Sequence, residues 1–571
     1  MRKSLIAAAV IAAGVFAWYK FGAPQSAAQL SALDYVPADT ALFSAQLEPV
    51  DLPSYLSSIG MGPQYYNAAS LAQFDEMLAG AQSSSEKFVL ALGRSYLAAL
   101  ATPAEISAKT GVKTQMRSLL YLVGLAPVLK VELGDEAAFW AMFDGIEQQS
   151  GLSHIPQQLG EQKYRQYKLS HEELTLDLLV SVKDGWASLT LTSDKFDAAH
   201  LAIALGSQKP EQSLNSTKYL QQISKKYELD QGSVGYVSSL ELSKVLTSKD
   251  GNRLAKDVEA IFGAELGVAL APWRDASCQT DVAAIASSWP GLFASNRFEV
   301  AAAATKVHSK MLIPTENAQT LAALEQLQGF IPAGTGQLSG QTALLELAFG
   351  LDVGQLSAAV GKLWDNLTTT QYQCAPLVEW QQALKQNNPM PMLMMAGMAA
   401  GVQGVSLKVN QLDIDVVQQI PKTVDAMFVL SANNVKQLFD SVKALQPALA
   451  NVELPPAGES LPLADKIPQL AMLGIQPSLL ASEHHLVIYS GDKALQQAKA
   501  LATQPLSKSG LLAFGMDYQQ FFSTLKTTLE SSGEPVPDDM AMLMQTNMQV
   551  GMQMKMAPQG IVLQSTMQMA K

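Results

Sequence analysis

Cys278 and Cys374 are the only thiols in this 571-residue chain. A small, even number of cysteines permits one disulfide in a chain that leaves the cytoplasm, and otherwise two buried thiols acting as small apolar side chains. Bonded, they close a loop of about 95 residues, worth about 4–5 kcal/mol on a chain-entropy model. Methionine offers a second chemistry. Met390, Met392, Met394, Met395 and Met398 form one cluster. Met540, Met542, Met544, Met548, Met552, Met554, Met556, Met567 and Met569 form another. Thioethers are soft ligands that select Cu(I), but no His or Cys stands among them. Met552, Met554 and Met556 alternate, as a strand with one apolar face requires. The pattern therefore points to core, or to a Met-lined groove whose unbranched side chains repack around varied apolar ligands.

The remaining candidates for chemistry are weaker. His154, His171, His200, His308, His484 and His485 fall in no metal-binding spacing. His484 and His485 are expected on a solvated turn. Ser84-Ser85-Glu86-Lys87 matches an S-x-x-K and Lys109-Thr110-Gly111 a K-T-G, the signatures of a serine-lysine acyl enzyme. The two lie too close together for that fold, with no S-D-N between them. Gly361-Lys362 lacks the earlier glycine of a phosphate loop, and no G-x-G-x-x-G follows a strand. No two carboxylates can be paired as acid and base from their spacing. No catalytic, metal or cofactor-binding residue is assigned, and no cofactor is expected.

Composition sets the class of molecule. Hydrophobic residues make up 48% and charged residues 16%, which is globular rather than disordered. A net charge of -12 argues against nucleic acid as a partner. Arg2 and Lys3 precede an apolar run from Leu5 to Tyr19, ended by Lys20. A basic flank before such a run directs export, with the N-terminus inside and the body outside. Residues 5–22 are long enough to span a bilayer, with Trp18, Tyr19 and Lys20 at its interface. Retention as an anchor in the inner membrane is the expectation. Cleavage near Ser26-Ala27-Ala28, leaving a soluble periplasmic body, is the alternative.

The elements behind the leader read as one unit written twice. Leu33 to Thr40 leads into Ala41-Leu42-Phe43-Ser44-Ala45, and Leu327 to Thr335 leads into Ala343-Leu344-Leu345-Glu346-Leu347. The offset of about 300 residues recurs downstream. A strand at 128–133 precedes a helix capped by Asp135, and a strand at 427–430 precedes a helix from Ser431. A hairpin through Asp184-Gly185 has its counterpart in strands at 478–481 and 485–489. Both halves end in alternating strands. The expected architecture is α+β: a tandem duplication of an antiparallel sheet with helices, behind an N-terminal hydrophobic helix. The domains are 1–26 (leader), 27–314 (first repeat) and 315–571 (second repeat). A disulfide between Cys278 and Cys374 would then staple the repeats together.

Val36-Pro37-Ala38-Asp39-Thr40 at the start of a strand, the leader, and Gln373-Cys374-Ala375-Pro376-Leu377 resemble an uncharacterised family of exported bacterial envelope proteins with a "P-A-D-T" stretch. The resemblance implies location and duplicated architecture, and it supplies no catalytic residue. The expected function is that of a non-catalytic envelope protein, anchored by residues 5–22 and acting through protein contacts. A carrier or sensor of a lipid or other apolar ligand is the alternative, recognisable by a continuous apolar cavity at the Met-rich strands. An enzyme with a dispersed site is the third.

Overall fold

The computed structural model describes residues 31–52, 56, 68–171, 174–301, 304–338, 343–391, 393, 397–415, 420–467, 475–532 and 547–570. The expected leader at 1–26, with its spanning stretch 5–22, lies outside the described residues, as do Met392, Met394, Met395, Met540, Met542 and Met544. Among the described residues no helix is long and apolar enough to cross a membrane. The chain mixes helices with antiparallel strands. It divides into two compact units, one running to Pro314 with Tyr372–Glu379 added, the other comprising Thr315–Gln371 and Trp380–Ala570.

The first unit contains β1 (Leu42–Asp51), β2 (Gln115–Val123), β3 (Ala126–Glu132), β4 (Ile155–Leu159), β5 (Gln162–His171), β6 (Leu174–Lys183), β7 (Trp186–Thr192), β8 (Ser233–Ser238), β9 (Gly291–Val300) and β10 (Ala304–Pro314). Every pairing is antiparallel, in the order β10-β9-β8-β1-β2-β3-β7-β6-β5-β4. The β6–β7 turn is made by Asp184 and Gly185, both at positive φ, which matches the twist of the flanking strands. Its helices include α1 (Ser84–Ala101), α2 (Glu136–Ser150), α3 (Ala198–Ala204), α4 (Tyr219–Tyr227), α5 (Arg253–Leu270) and α6 (Ala276–Ser288). Ser83 and Asp135 cap α1 and α2 by accepting from Glu86 N and Ala138 N, satisfying amides that a helix start leaves without partners.

Residues directly opposite in an antiparallel pair share a face, so the register sorts this sheet into two sides. One carries Phe43, Tyr121, Tyr236 and Phe293, all buried, and α4 lays Tyr219 and Tyr227 on Tyr236 and Phe293 at ring distances of 5.2 and 4.7 Å. On the other side, α1 and α2 press Phe88, Phe139, Phe143 and Ile146 onto Tyr167, Leu178, Val180 and Ala187 of β5, β6 and β7. Cys278 on α6 is bonded to Cys374. Asp281 receives the backbone N–H groups of Gln373 and Cys374 at 2.6 and 2.8 Å. Because residues 372–379 group with the first unit, the disulfide lies inside that unit. It fastens a segment from the second half of the sequence to α6, whereas the sequence reading has it stapling two repeats.

The second unit contains β11 (Leu345–Gly350), β12 (Val402–Asp415), β13 (Ile420–Ala432), β14 (Ser460–Pro462), β15 (Ser478–Ala481), β16 (His485–Ser490), β17 (Leu512–Asp517), β18 (Met548–Ala557) and β19 (Gly560–Ala570), with α7 (Val435–Leu445) and α8 (Asp492–Ala502). Its order is β19-β18-β17-β11-β12-β13-β16-β15-β14, again antiparallel throughout. Position for position, β1–β3 match β11–β13, β5–β7 match β14–β16, and β8–β10 match β17–β19. A capped helix follows the third strand in each unit, with Asn434 accepting from Gln437 N where Asp135 serves α2. One side of the second sheet is closed by α8, whose Ala494, Ala498 and Leu501 cover Met427, Val429, Leu480, Val487 and Tyr489. Residues 329–338 close the rest of that side. Gly336 N donates to Glu346 at 3.0 Å, and Gln553 Nε2 donates to Thr335 O at 2.7 Å. Gly551 permits this crossing, since a Cβ there would lie 2.5 Å from Gly336 O.

Candidate functional site: an open apolar sheet face

The other side of the second sheet is apolar across β18, β17, β11, β12 and β13, with Ser565 on β19 and Ser490 on β16 at its flanks. Register places Met554, Leu512, Phe349, Val405, Leu430 and Leu486 in one cross-strand row. A second row holds Met552, Phe514, Leu347, Leu407, Phe428, Ile488 and Leu479. Val550, Met516, Leu345, Val409 and Ala426 make a third. Strands about 4.8 Å apart carry such a row over roughly 30 Å. In the middle of a sheet these side chains should be covered, yet Phe349 is 48% exposed, Phe428 44% and Leu407 38%. Polar residues on the same strands point the other way and are buried, Glu346 at 5% and Ser406 at 7%. An exposed contiguous apolar surface of this kind makes the face the candidate site for contact with a ligand, a membrane or another protein.

At the β13–β16 end the face runs under α7 into a cavity of about 380 Å³. Its floor is Leu430, Leu479, Leu486 and Ile488, and its roof is Val435, Leu438, Phe439 and Val442 of α7. Leu449, Val452, Leu463, Ile467, Ile475 and Pro477 close the remaining walls. Among the described residues every lining side chain is apolar, and the size falls in the usual range for ligand pockets, about 300–1,000 Å³. A hollow of that volume forgoes several kcal/mol of packing at about 24 cal/mol per Å³, and a dry hollow walled by carbon does not recruit water to recover it.

By register Met516, Met552, Met554, Met556 and Met569 all lie on the open face; Met552 and Met554 are half-buried, whereas Met516, Met556 and Met569 are buried, so the face is covered at those points. Across the strands Met552 faces Phe514 and Ser565, Met554 faces Leu512 and Leu563, Met556 faces Ile561, Met516 faces Val550, and Met569 faces Met548. The apolar reading of the Met-rich strands therefore fits, although the cavity itself lies at the opposite end of the sheet from them.

Other side chains with chemical potential sit elsewhere. Lys130 on β3 is buried and donates to Ser188 Oγ on β7 at 2.7 Å. Burial, then the neighbouring Lys183, pushes its ammonium down to about 8. A lysine whose pKa is lowered to about 8 beside a serine has the makings of a base and a nucleophile. Ser188 is only 2% exposed, however, and the lysines gather around the Tyr35 ring rather than around a cleft. His200 and Asp257 form a second buried pair at 3.0 Å, and Asp257 also accepts from Leu125 N at 2.9 Å. That pair ties the β2–β3 turn to α5. A Cβ on Gly124 would lie 1.8 Å from Asp257, so this turn accepts only glycine.

The motifs singled out in the sequence do not converge. Ser84 begins α1, and Lys109-Thr110-Gly111 ends a short helix with Gly111 at φ 72°. His485, expected on a solvated turn, is instead fully buried at the start of β16. Its Nε2 faces Gln504 O at 3.0 Å and its Nδ1 faces Ser431 Oγ at 2.9 Å. Among the described residues no group of three His, Cys, Asp or Glu side chains could hold a metal ion. Comparison of the chain with protein-family models, with curated proteins and with solved structures finds no match.

Proposed function

We propose that this is a non-catalytic protein of the bacterial-type cell envelope, and that its second unit holds the acyl chain of a lipid. The open apolar face of the second sheet carries this reading. An alkyl chain needs no hydrogen-bond partner, and the described lining of the cavity offers none. Methionines at β18 suit a ligand whose chain varies, because thioether side chains repack at little cost. The leader supports export, with residues 5–22 in the inner membrane, the N-terminus in the cytoplasm and the body in the periplasm. The matching strand orders support a tandem duplication, of which one copy kept an open face for the ligand.

The test begins with the full chain purified from membranes, followed by organic extraction and mass spectrometry. Recovery of phospholipid in near-stoichiometric amount, lost in Phe428→Glu and Leu407→Glu, is the expected outcome. A wild-type protein that yields no lipid and binds no acyl probe ends the reading. If Phe428→Glu instead converts a dimer into a monomer, the face is a self-association surface and the lipid reading fails.

A second reading, contact with another protein, rests on α5. Its second half exposes Phe262 at 40%, Leu266 at 40% and Val268 at 86%. Crosslinking in intact cells from a photoreactive residue at Val268 tests it, and absence of any reproducible protein neighbour counts against it.

A further inference from the structure

Building on the lipid reading, we propose that the cavity beneath α7 is an end-stop for one acyl chain of a zwitterionic phospholipid. It receives the terminal methyl segment and sets the preferred chain length, while the head group stays outside. Among the described residues the cavity wall contains no polar side chain, so a phosphodiester or carboxylate entering it would lose hydration without compensation from them. Only the hydrocarbon end of a lipid can be accommodated.

The path into the cavity is continuous. Leu430 and Ile488 belong both to its floor and to the cross-strand rows that carry Phe349, Leu407 and Phe428. A chain lying along either row passes from the exposed centre of the sheet to the enclosed end without leaving carbon. The volume, about 380 Å³, is more than twice the roughly 150 Å³ hollow that takes up benzene. An α-helix, about 10 Å across, would fill it within about one turn, and its amides would meet walls that cannot satisfy them. The occupant is therefore a chain rather than a peptide. The chain's net charge of -12 favours a zwitterionic head over an anionic one at the mouth.

The experiment titrates the full chain with lysophosphatidylcholines of graded chain length, by calorimetry. Wild-type affinity should rise about fourfold for each added methylene and then level off once the cavity is full. Val442→Trp adds bulk at a lining position that is 39% exposed, so it narrows the cavity without forcing a ring into the core. It should move the levelling point to shorter chains. Phe439→Ala enlarges the cavity and should move it to longer ones; if that variant unfolds, Val442→Trp decides alone. Phe428→Glu on the open face should weaken every chain length by a similar factor. Lipid binding with an unmoved levelling point in Val442→Trp overturns the end-stop and leaves the open face standing. No binding by the wild type at any length overturns both.

Discussion

The two units share a strand order and a helix after the third strand, yet the same place in each is built to opposite ends. Under α2 of the first unit, Phe139 and Phe143 stand 5.2 Å apart, and Tyr167 closes on Phe143 at 5.8 Å and on Phe88 at 4.5 Å. Four rings fill the space between helix and sheet. Under α7 of the second unit Phe439 is the single ring among the described lining residues, the others are aliphatic or proline, and the space is left open. The difference lies in side-chain volume and in α1, which contributes Phe88 to the first unit. One scaffold thus serves as a packed support or as a receptacle. What decides is whether the last few rings are present, a change that costs stability and leaves topology untouched.

That contrast can be broken by single substitutions. Phe143→Ala removes a fully buried ring from a close-packed cluster and should cost about 4 kcal/mol, transfer and cavity terms together. Phe439→Ala removes a ring that already borders a void, so little new cavity forms and about 2 kcal/mol is expected. Hydrogen exchange in β5–β7 and in β14–β16 reports the two effects separately. Equal losses would mean the second cavity is filled in solution. Cys278→Ala with Cys374→Ala opens a loop of sequence separation 96 and should cost about 4–5 kcal/mol on the chain-entropy model. Since the bond lies within the first unit, exchange should quicken in α6 and not in β14–β16.

Much of this was legible in the strands themselves. Leu345, Leu347 and Phe349, or Val405, Leu407 and Val409, alternate with Glu346, Ser406 and Lys408, which announces strands with two unlike faces. Alternation does not say which face is covered. The ordinary inference puts the apolar side inward, and here Glu346 and Ser406 are inside while Phe349 and Leu407 face out. Burial of Glu346 is made possible by Lys408, which pairs with it, and by Gly336 N, contributed from a loop that no pattern places over the sheet. The cavity was illegible for a related reason. A hollow is missing volume summed over α7, β15 and β16, and no single residue carries its signature. His485 was misread because a pair of histidines between two strands looks like a turn, whereas a ring with both nitrogens satisfied can be buried.

A second contrast lies on the covered side. Lys130 faces Ser188 across β3 and β7; the same place in the second unit, five residues ahead of the cap on the following helix, is Val429 opposite Val487. Lys183 and Lys209 crowd the same ring of Tyr35, Asp34 is engaged by Lys209, and Asp184 is the nearest relief. With its folded pKa near 8 and an unfolded value near 10.5, Lys130 carries an unfavourable charge at neutral pH. Between those values the unfolded chain binds more protons than the native one, so stability rises with pH across that window. Lys130→Met with Ser188→Ala should stabilise the first unit by about 3 kcal/mol at pH 7, and the gain should vanish above about pH 10.5. A double variant less stable than wild type at pH 7 would show that the lysine's hydrogen bond outweighs its desolvation.

The smallest effect belongs to the second unit, at His485. Gln504 O can only accept, so Nε2 carries the hydrogen, and in the neutral ring Nδ1 accepts from the Ser431 hydroxyl. Burial holds the imidazole pKa below its ordinary value, with the nearby His484 adding to the shift and the Gln504 carbonyl opposing it. A depressed folded pKa means the unfolded chain takes up the proton first. Stability from this residue is therefore present above about pH 6.5 and is lost as the pH falls through the folded value. His485→Gln keeps a donor for Gln504 O but does not titrate. In urea melts followed from pH 7.5 down to 5, the wild-type midpoint for β13–β16 should fall more steeply than that of the variant. Parallel slopes would place the acid sensitivity of this unit in its carboxylates instead. In that case His485 serves only to seat Phe330, whose ring lies 4.8 Å from it, against the covered side of the sheet.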